Sequence, residues 1–268
     1  MNAVKRFKDG LNVGLYSFSL LSKHKQLILY LSIPKIIRMI LALTKHSLFF
    51  ASPIRATLFL RSMINSFLYT FDGMRDVVIL IFEVVTILVT IFASVALTIH
   101  TYALLKRRKA GIKRSLKEAG KKIKPILWWT LISIGVYFLL GKVDQFAYPN
   151  PCNPCDSNAL LASIGILAHL TWLIAFLFVV TLIAVEDQPL KKSIVKSFTM
   201  LKTLIWNYLG AMFWVGLVGF LSLGLIWLAN QTKLPISGIT PFFLLIVGFV
   251  IATAHAIVKT VLYEKYGT

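Results

Sequence analysis

Apolar residues along this chain gather into six runs, separated by amphipathic stretches in which they recur every three or four positions. The runs are Leu27 to Lys45, Val77 to Leu105, Ile126 to Gly141, Leu160 to Val185, Trp206 to Ala229 and Ile239 to Leu262. A helix needs about 20 apolar residues to cross a hydrocarbon core of about 30 Å. Val77 to Leu105 exceeds that length, and Ile126 to Gly141 is short for it. The first run is the most polar, because Lys35 and Arg38 fall near its middle. Each central Lys or Arg costs about 2.5 to 3.5 kcal/mol on insertion, so the face carrying Ser32, Lys35, Arg38 and Lys45 must meet protein or water.

The amphipathic stretches predict further helices. Phe7, Leu11, Leu15, Phe18 and Leu21 form one stripe with Lys5, Arg6 and Lys8 near its start. That is the pattern of a helix lying in the interface, or of one docked on the rest of the protein. Leu60, Ile64, Phe67 and Phe71 predict a second such helix after a break near Pro53. An odd number of crossings is required between residues 26 and 76. Residues 27–45 are the simpler choice over 46–71. Ile112, Leu116, Ala119 and Ile123 repeat within Lys106 to Pro125, a stretch in which ten of twenty positions are Lys or Arg. Leu190, Ile194, Phe198, Leu201 and Ile205 form another stripe, introduced by Glu186, Asp187 and Pro189, which suit a helix start. Gly216, Gly219 and Ser222 give the fifth run a small-residue face for close helix contact.

Composition fixes the class. Of 268 residues 57% are hydrophobic and the mean hydropathy is +0.78, well above the roughly 45–50% apolar share of soluble domains. The net charge of +19 raises nucleic acid as a partner, but the basic residues lie between apolar runs, where they act as topology signals and contacts to anionic headgroups. No folded recognition module accompanies them, so no nucleic acid is expected. Placing the N-terminus, 106–125, 187–205 and the C-terminus on one side collects 21 Lys and Arg, against six on the other. The positive-inside rule makes that side cytoplasmic, in a multi-pass protein of the cell membrane with both termini inside. The first apolar run lacks a small-residue cleavage site and is expected to remain.

With Ser115 set on Ser193, residues 111–128 align with 189–206, pairing Lys113 with Lys191, Leu116 with Ile194 and Trp128 with Trp206. SFSLL at 17–21 matches SFTML at 197–201 more weakly. The expected fold is an all-α polytopic membrane helix bundle. It has about six transmembrane helices, interfacial amphipathic helices and a threefold internal repeat over about 5–105, 106–186 and 187–268, in a single domain. Gly111 to Ala119, Glu186 and Ser197 around KKSIVKSFTMLK, and the ending AIVKTVLYEKYGT resemble an uncharacterised family of bacterial six-span membrane proteins. More distantly, they resemble the membrane domain of some glycerophosphodiester phosphodiesterases. Lys35 and Arg38 depart from the apolar character of such proteins at that point. The resemblance implies no activity.

Ionisable groups inside the runs are the candidate chemistry, since they are costly unless paired or hydrated. Lys35, Arg38, Glu83 and His169 form a candidate intramembrane polar cluster, read either as a translocation path or as an ion pair between spans. His100 and His255 are expected to snorkel at cytoplasmic helix ends. Lys106, Arg107, Arg108, Lys113, Lys117, Lys191 and Lys192 are the candidate headgroup contacts. Cys152 and Cys155 lie in an external loop, as a local disulfide or as idle thiols. With no nearby His they fall short of a zinc site. No phosphate-binding, dinucleotide or nucleophile motif stands at a strand-to-helix junction, so neither catalysis nor a cofactor is expected. The functional expectation is transport or permeation of a small solute or ion, the alternative a non-catalytic membrane scaffold or lipid-associated envelope protein. Any protein partner or homo-oligomer is left open.

Overall fold

The computed structural model describes residues 2–45, 75–147, 159–231 and 240–267. Among them every regular element is helical: α1 (Ala3–Lys23), a 3-10 turn (Lys25–Ile28), α2 (Leu29–Lys45), α3 (Arg75–Leu105), α4 (Ile112–Lys121), α5 (Ile123–Ala147), α6 (Ala159–Ala175), α7 (Val179–Glu186), α8 (Leu190–Gln231) and α9 (Thr240–Tyr266). Four stretches are long and apolar enough to cross a membrane: Ile81–Leu105, Ile123–Val143, Leu190–Ser222 and Ile246–Tyr266. Phe138 and Leu139 on α5, Leu167 on α6 and Phe220 on α8 stay exposed. So much exposed apolar surface belongs to a chain whose solvent is lipid.

The buried core lies where α3, α7 and α9 finish. Val95, Ala96 and Leu97, Leu182 and Ile183, and Ile257, Val258 and Leu262 interlock there. Four hydroxyls inside α3 are satisfied by its own backbone. Thr86, Thr90, Ser94 and Thr98 each donate to the carbonyl four residues earlier, at 2.7 to 2.9 Å, so the helix carries polar groups without exposing them to hydrocarbon.

Helix α1 is docked on the protein rather than free in the interface. Its buried face is Gly10, Val13, Gly14, Ser17, Leu20 and Leu21, so the apolar stripe is turned partly outward and Leu15 is exposed. The rotation follows from the glycines. Gly10 and Gly14 let the α1 backbone lie against Asn207 and Ala211 of α8, and Gly210 of α8 meets Phe7 in the same way. Of the small residues predicted for close contact, Gly216 meets no described atom within 4 Å, Gly219 has an ordinary contact with Ile251, and Ser222 is buried.

Three further elements differ from the pattern-based expectation. The basic stretch is not one helix: α3 ends in a Schellman cap with Arg107 at φ 52, Ile112–Lys121 forms α4, and α5 begins at Ile123. Arg108 N–H bonds the Ala103 carbonyl at 2.8 Å and Arg107 N–H the Leu104 carbonyl at 3.0 Å. The amphipathic stretch after Pro189 and the fifth run are one continuous helix of 42 residues, α8. The fourth run is broken into α6 and α7 at Phe176–Phe178, where the Phe178 amide donates to Ser197 Oγ at 3.2 Å.

Two contacts set helix directions. Tyr30 OH, at the start of α2, lies 2.8 Å from His100 Nδ1, near the end of α3. Lys122, just before α5, donates to the carbonyls of Ile183 and Ala184 at 3.1 and 2.9 Å and pairs with Asp187 at 2.7 Å, at the end of α7. Residues 46–71 and the Cys152–Cys155 loop lie outside the described residues.

A candidate functional site inside the bundle

A cavity of about 210 Å³ lies between α3, α5, the α6–α7 break and α9. One wall is aromatic. Trp129 and Trp172 stack with centroids 5.6 Å apart at 12°, and Phe176 lies 4.3 Å from the Trp172 ring. The lining also holds polar groups: Thr90 from α3, Ser133 and Tyr137 from α5, and His255 and Lys259 from α9. His255 and Lys259 are four residues apart and share a face, with Tyr263 one turn further along it. At 1.5 Å per residue, Lys259 lies about 10 Å and His255 about 17 Å from the end of α9, so the cavity is well inside the helix lengths.

The polar groups along this face differ in how they are satisfied. His255 Nε2 lies 2.8 Å from Tyr208 OH. Tyr263 donates to Glu186, whose carboxylate also pairs with Lys196 at 2.5 Å. Lys259, half-buried, has no hydrogen bond or ion pair to another described residue. An ammonium within a membrane protein is costly unless it meets water, a counter-charge or an anion. The cavity supplies the space for one of these, and no carboxylate is among the described residues of its lining.

The broken helix contributes to the same place. Phe176 and Leu177, in the turn between α6 and α7, line the cavity. Irregular backbone at membrane depth is tolerated only where protein or a cavity surrounds it, and Ser197 satisfies one of the amides so released.

The described members of the candidate intramembrane polar cluster do not line this cavity. Lys35 Nζ donates to the Gly248 carbonyl of α9 and lies over the Phe249 ring at 5.9 Å. Gly248 permits this approach, since a Cβ there would stand 3.2 Å from the ammonium. Glu83 is half-buried on α3. His169 Nδ1 lies 2.9 Å from Gly165 O in its own helix. Lys35, Glu83 and His169 are not among the described residues lining the cavity, and the Arg38 side chain is outside those described. Lys106, Arg107, Arg108, Lys113, Lys117, Lys191 and Lys192 are all exposed, Lys106 also pairing with Glu264 at 2.9 Å. Cys152 and Cys155 are outside the described residues. Among the described residues no group of three His, Cys, Asp or Glu could hold a metal.

Lys259 stands near the end of the sixth run and counts with the C-terminus in the charge tally, and His255 reads as a snorkelling residue, so pattern reading missed both. Helix α9 continues to Tyr266, drawing both into the bundle. The available signal was their four-residue spacing on an otherwise apolar face. No family model matches the chain, and no curated protein or solved structure is significantly similar to it.

Proposed function

We propose that the protein transports or passes a small anionic solute, held in the cavity by Lys259. The observation that carries this reading is an ammonium without a partner among the described residues, lining a cavity beside a broken helix. A volume near 210 Å³ is below the roughly 300–1,000 Å³ of drug-sized sites, so the solute is small. The Trp129, Trp172 and Phe176 wall suits one with an apolar portion.

In this reading the chain crosses the cell membrane six times, with both termini cytoplasmic. Helix α2 and the broken α6–α7 pair add to the four long helices. The contact of Lys122 with the end of α7 supports a return crossing there, and Tyr30 beside His100 supports one for α2. The threefold repeat is supported by the buried Ser17, Ser115, Ser193 and Ser197. One ring-to-ring tie in each unit adds to it: Tyr30 with His100, Trp129 with Trp172 and Tyr208 with His255.

The test is uptake into proteoliposomes of a panel of small inorganic and carboxylate anions, comparing the parent with Lys259→Gln. Accumulation of one solute by the parent and its loss in the variant supports transport. If no anion moves and none binds, the bundle is a scaffold whose exposed basic residues rest on headgroups.

A further inference from the structure

A second concavity, of about 380 Å³, lies at the end of the apolar Ile123–Val143 stretch, between the α4–α5 junction and the start of α8. Lys121, Lys122 and Lys124 line it with Asp187, Trp128 and Leu190. Lys122 is committed to Asp187 at 2.7 Å and to two carbonyls. Lys121 holds an exposed pair with Glu118 at 2.8 Å, the kind that a stronger anion displaces at little cost. Lys124 is exposed and has no partner among the described residues. The groove therefore keeps an excess of positive charge, and the first turn of α8 at its rim holds no acid to neutralise the helix dipole.

Below the groove, Lys124, Trp128, Leu131, Gly135 and Phe138 follow at helical spacing down one exposed face of α5. Trp128, Leu131 and Phe138 are 56%, 59% and 65% exposed, and a Cβ on Gly135 would meet nothing within 4 Å. Cationic groups thus stand at headgroup level, an indole lies next beneath them, and an apolar track with a shallow gap runs on into the hydrocarbon. We infer that this groove holds one anionic phospholipid, its phosphate between Lys121 and Lys124 and an acyl chain along Leu131, Gly135 and Phe138. Charge complementarity selects the headgroup and the continuous track selects a lipid over a free phosphate.

The test is native mass spectrometry of the full chain in detergent, titrated with phosphatidylglycerol, with phosphatidylcholine of the same acyl chains, and with glycerol phosphate. The parent should bind its first phosphatidylglycerol more tightly than phosphatidylcholine, and glycerol phosphate weakly. Lys121→Gln with Lys124→Gln should weaken the first phosphatidylglycerol about tenfold or more, on the scale of two phosphate contacts. Lys23→Gln with Lys25→Gln removes equal charge from exposed positions outside the groove and should leave that affinity unchanged. Equal weakening by the two pairs would overturn the site in favour of diffuse charge. Unchanged binding in the first pair, or glycerol phosphate binding as tightly as the lipid, would overturn it too.

Discussion

Gly10 of α1 lies directly against the backbone carbonyl of Asn207 on α8, and a Cβ at that position would overlap it. Neither helix has a flexible side chain there to move aside, so any larger residue must push the backbones apart. Gly10→Leu should destabilise the protein by about 1–3 kcal/mol or more, read as a fall in the thermal unfolding midpoint in detergent. Gly216→Ala is the opposite case in the same pair of helices. No described atom would lie within 4 Å of a Cβ at Gly216, and Ala in place of Gly within a helix should stabilise by about 0.5–1 kcal/mol.

Arg107 ends α3 at a φ of 52, where glycine is at no disadvantage and an L side chain pays about 1–2 kcal/mol. The capping bonds are made by its backbone and that of Arg108. Arg107→Gly should therefore raise the unfolding midpoint by the equivalent of up to about 1 kcal/mol. A fall instead would mean that the Arg107 side chain contributes more than its backbone conformation costs.

Lys122 joins two elements that are distant in sequence. It satisfies the terminal carbonyls of Ile183 and Ala184, where the negative end of the α7 dipole also favours a cation. Its pair with Asp187 adds little, since that carboxylate is 83% exposed. Lys122→Met should cost about 2–3 kcal/mol from the two charge-assisted bonds. Asp187→Asn should cost under about 1 kcal/mol, and the contrast in denaturation midpoints separates the two contributions.

Glu264 bonds the Lys106 ammonium and holds its pKa above the ordinary lysine range. A folded pKa raised above the unfolded one means that the contribution is fully present below about pH 10.4 and is lost as pH rises through the folded value. Glu118 is the mirror case: its bond from Lys121 holds the carboxyl below its ordinary range. Its contribution is present above about pH 4.3 and is lost as pH falls through the folded value. Titration followed by NMR should move Lys106 toward the ordinary value in Glu264→Gln and leave the Glu118 carboxyl unmoved. A shift at both sites would mean that a wider field, and not these bonds, sets them.

The helical class and the long crossings were legible because apolar runs of membrane length have few other solutions. The α1–α8 contact was not, since the glycines that permit it look like breaks in an apolar stripe. The stripe itself, Phe7 to Leu21, is only partly buried: Leu21 lies in the core while Leu15 is exposed. The Phe176–Phe178 break carries neither Pro nor Gly, and the turn amide finds its acceptor on Ser197, from another helix. Local patterning cannot register such an acceptor. Lys259 illustrates the same limit for the site. A lysine near the end of an apolar run reads as a boundary until another turn of helix extends past it.

On the proposed anion-site reading, Lys259 sets stability against ligand binding. In the unliganded protein its ammonium bears a desolvation cost with no compensating bond from a described side chain, so a Met of similar length should fit the same space without that cost. Lys259→Met is expected to raise the unfolding midpoint by the equivalent of about 1 kcal/mol or more. The bound anion reverses the ranking. A ligand at a hundred times its dissociation constant stabilises its protein by about 2.7 kcal/mol, and only a chain that keeps the cation has that gain. Thermal unfolding should then place the variant above the parent without anion, and the parent above the variant at saturating anion. If Lys259→Met is destabilised without anion, the ammonium is already satisfied in the resting protein. The cavity then loses its claim to be an anion site.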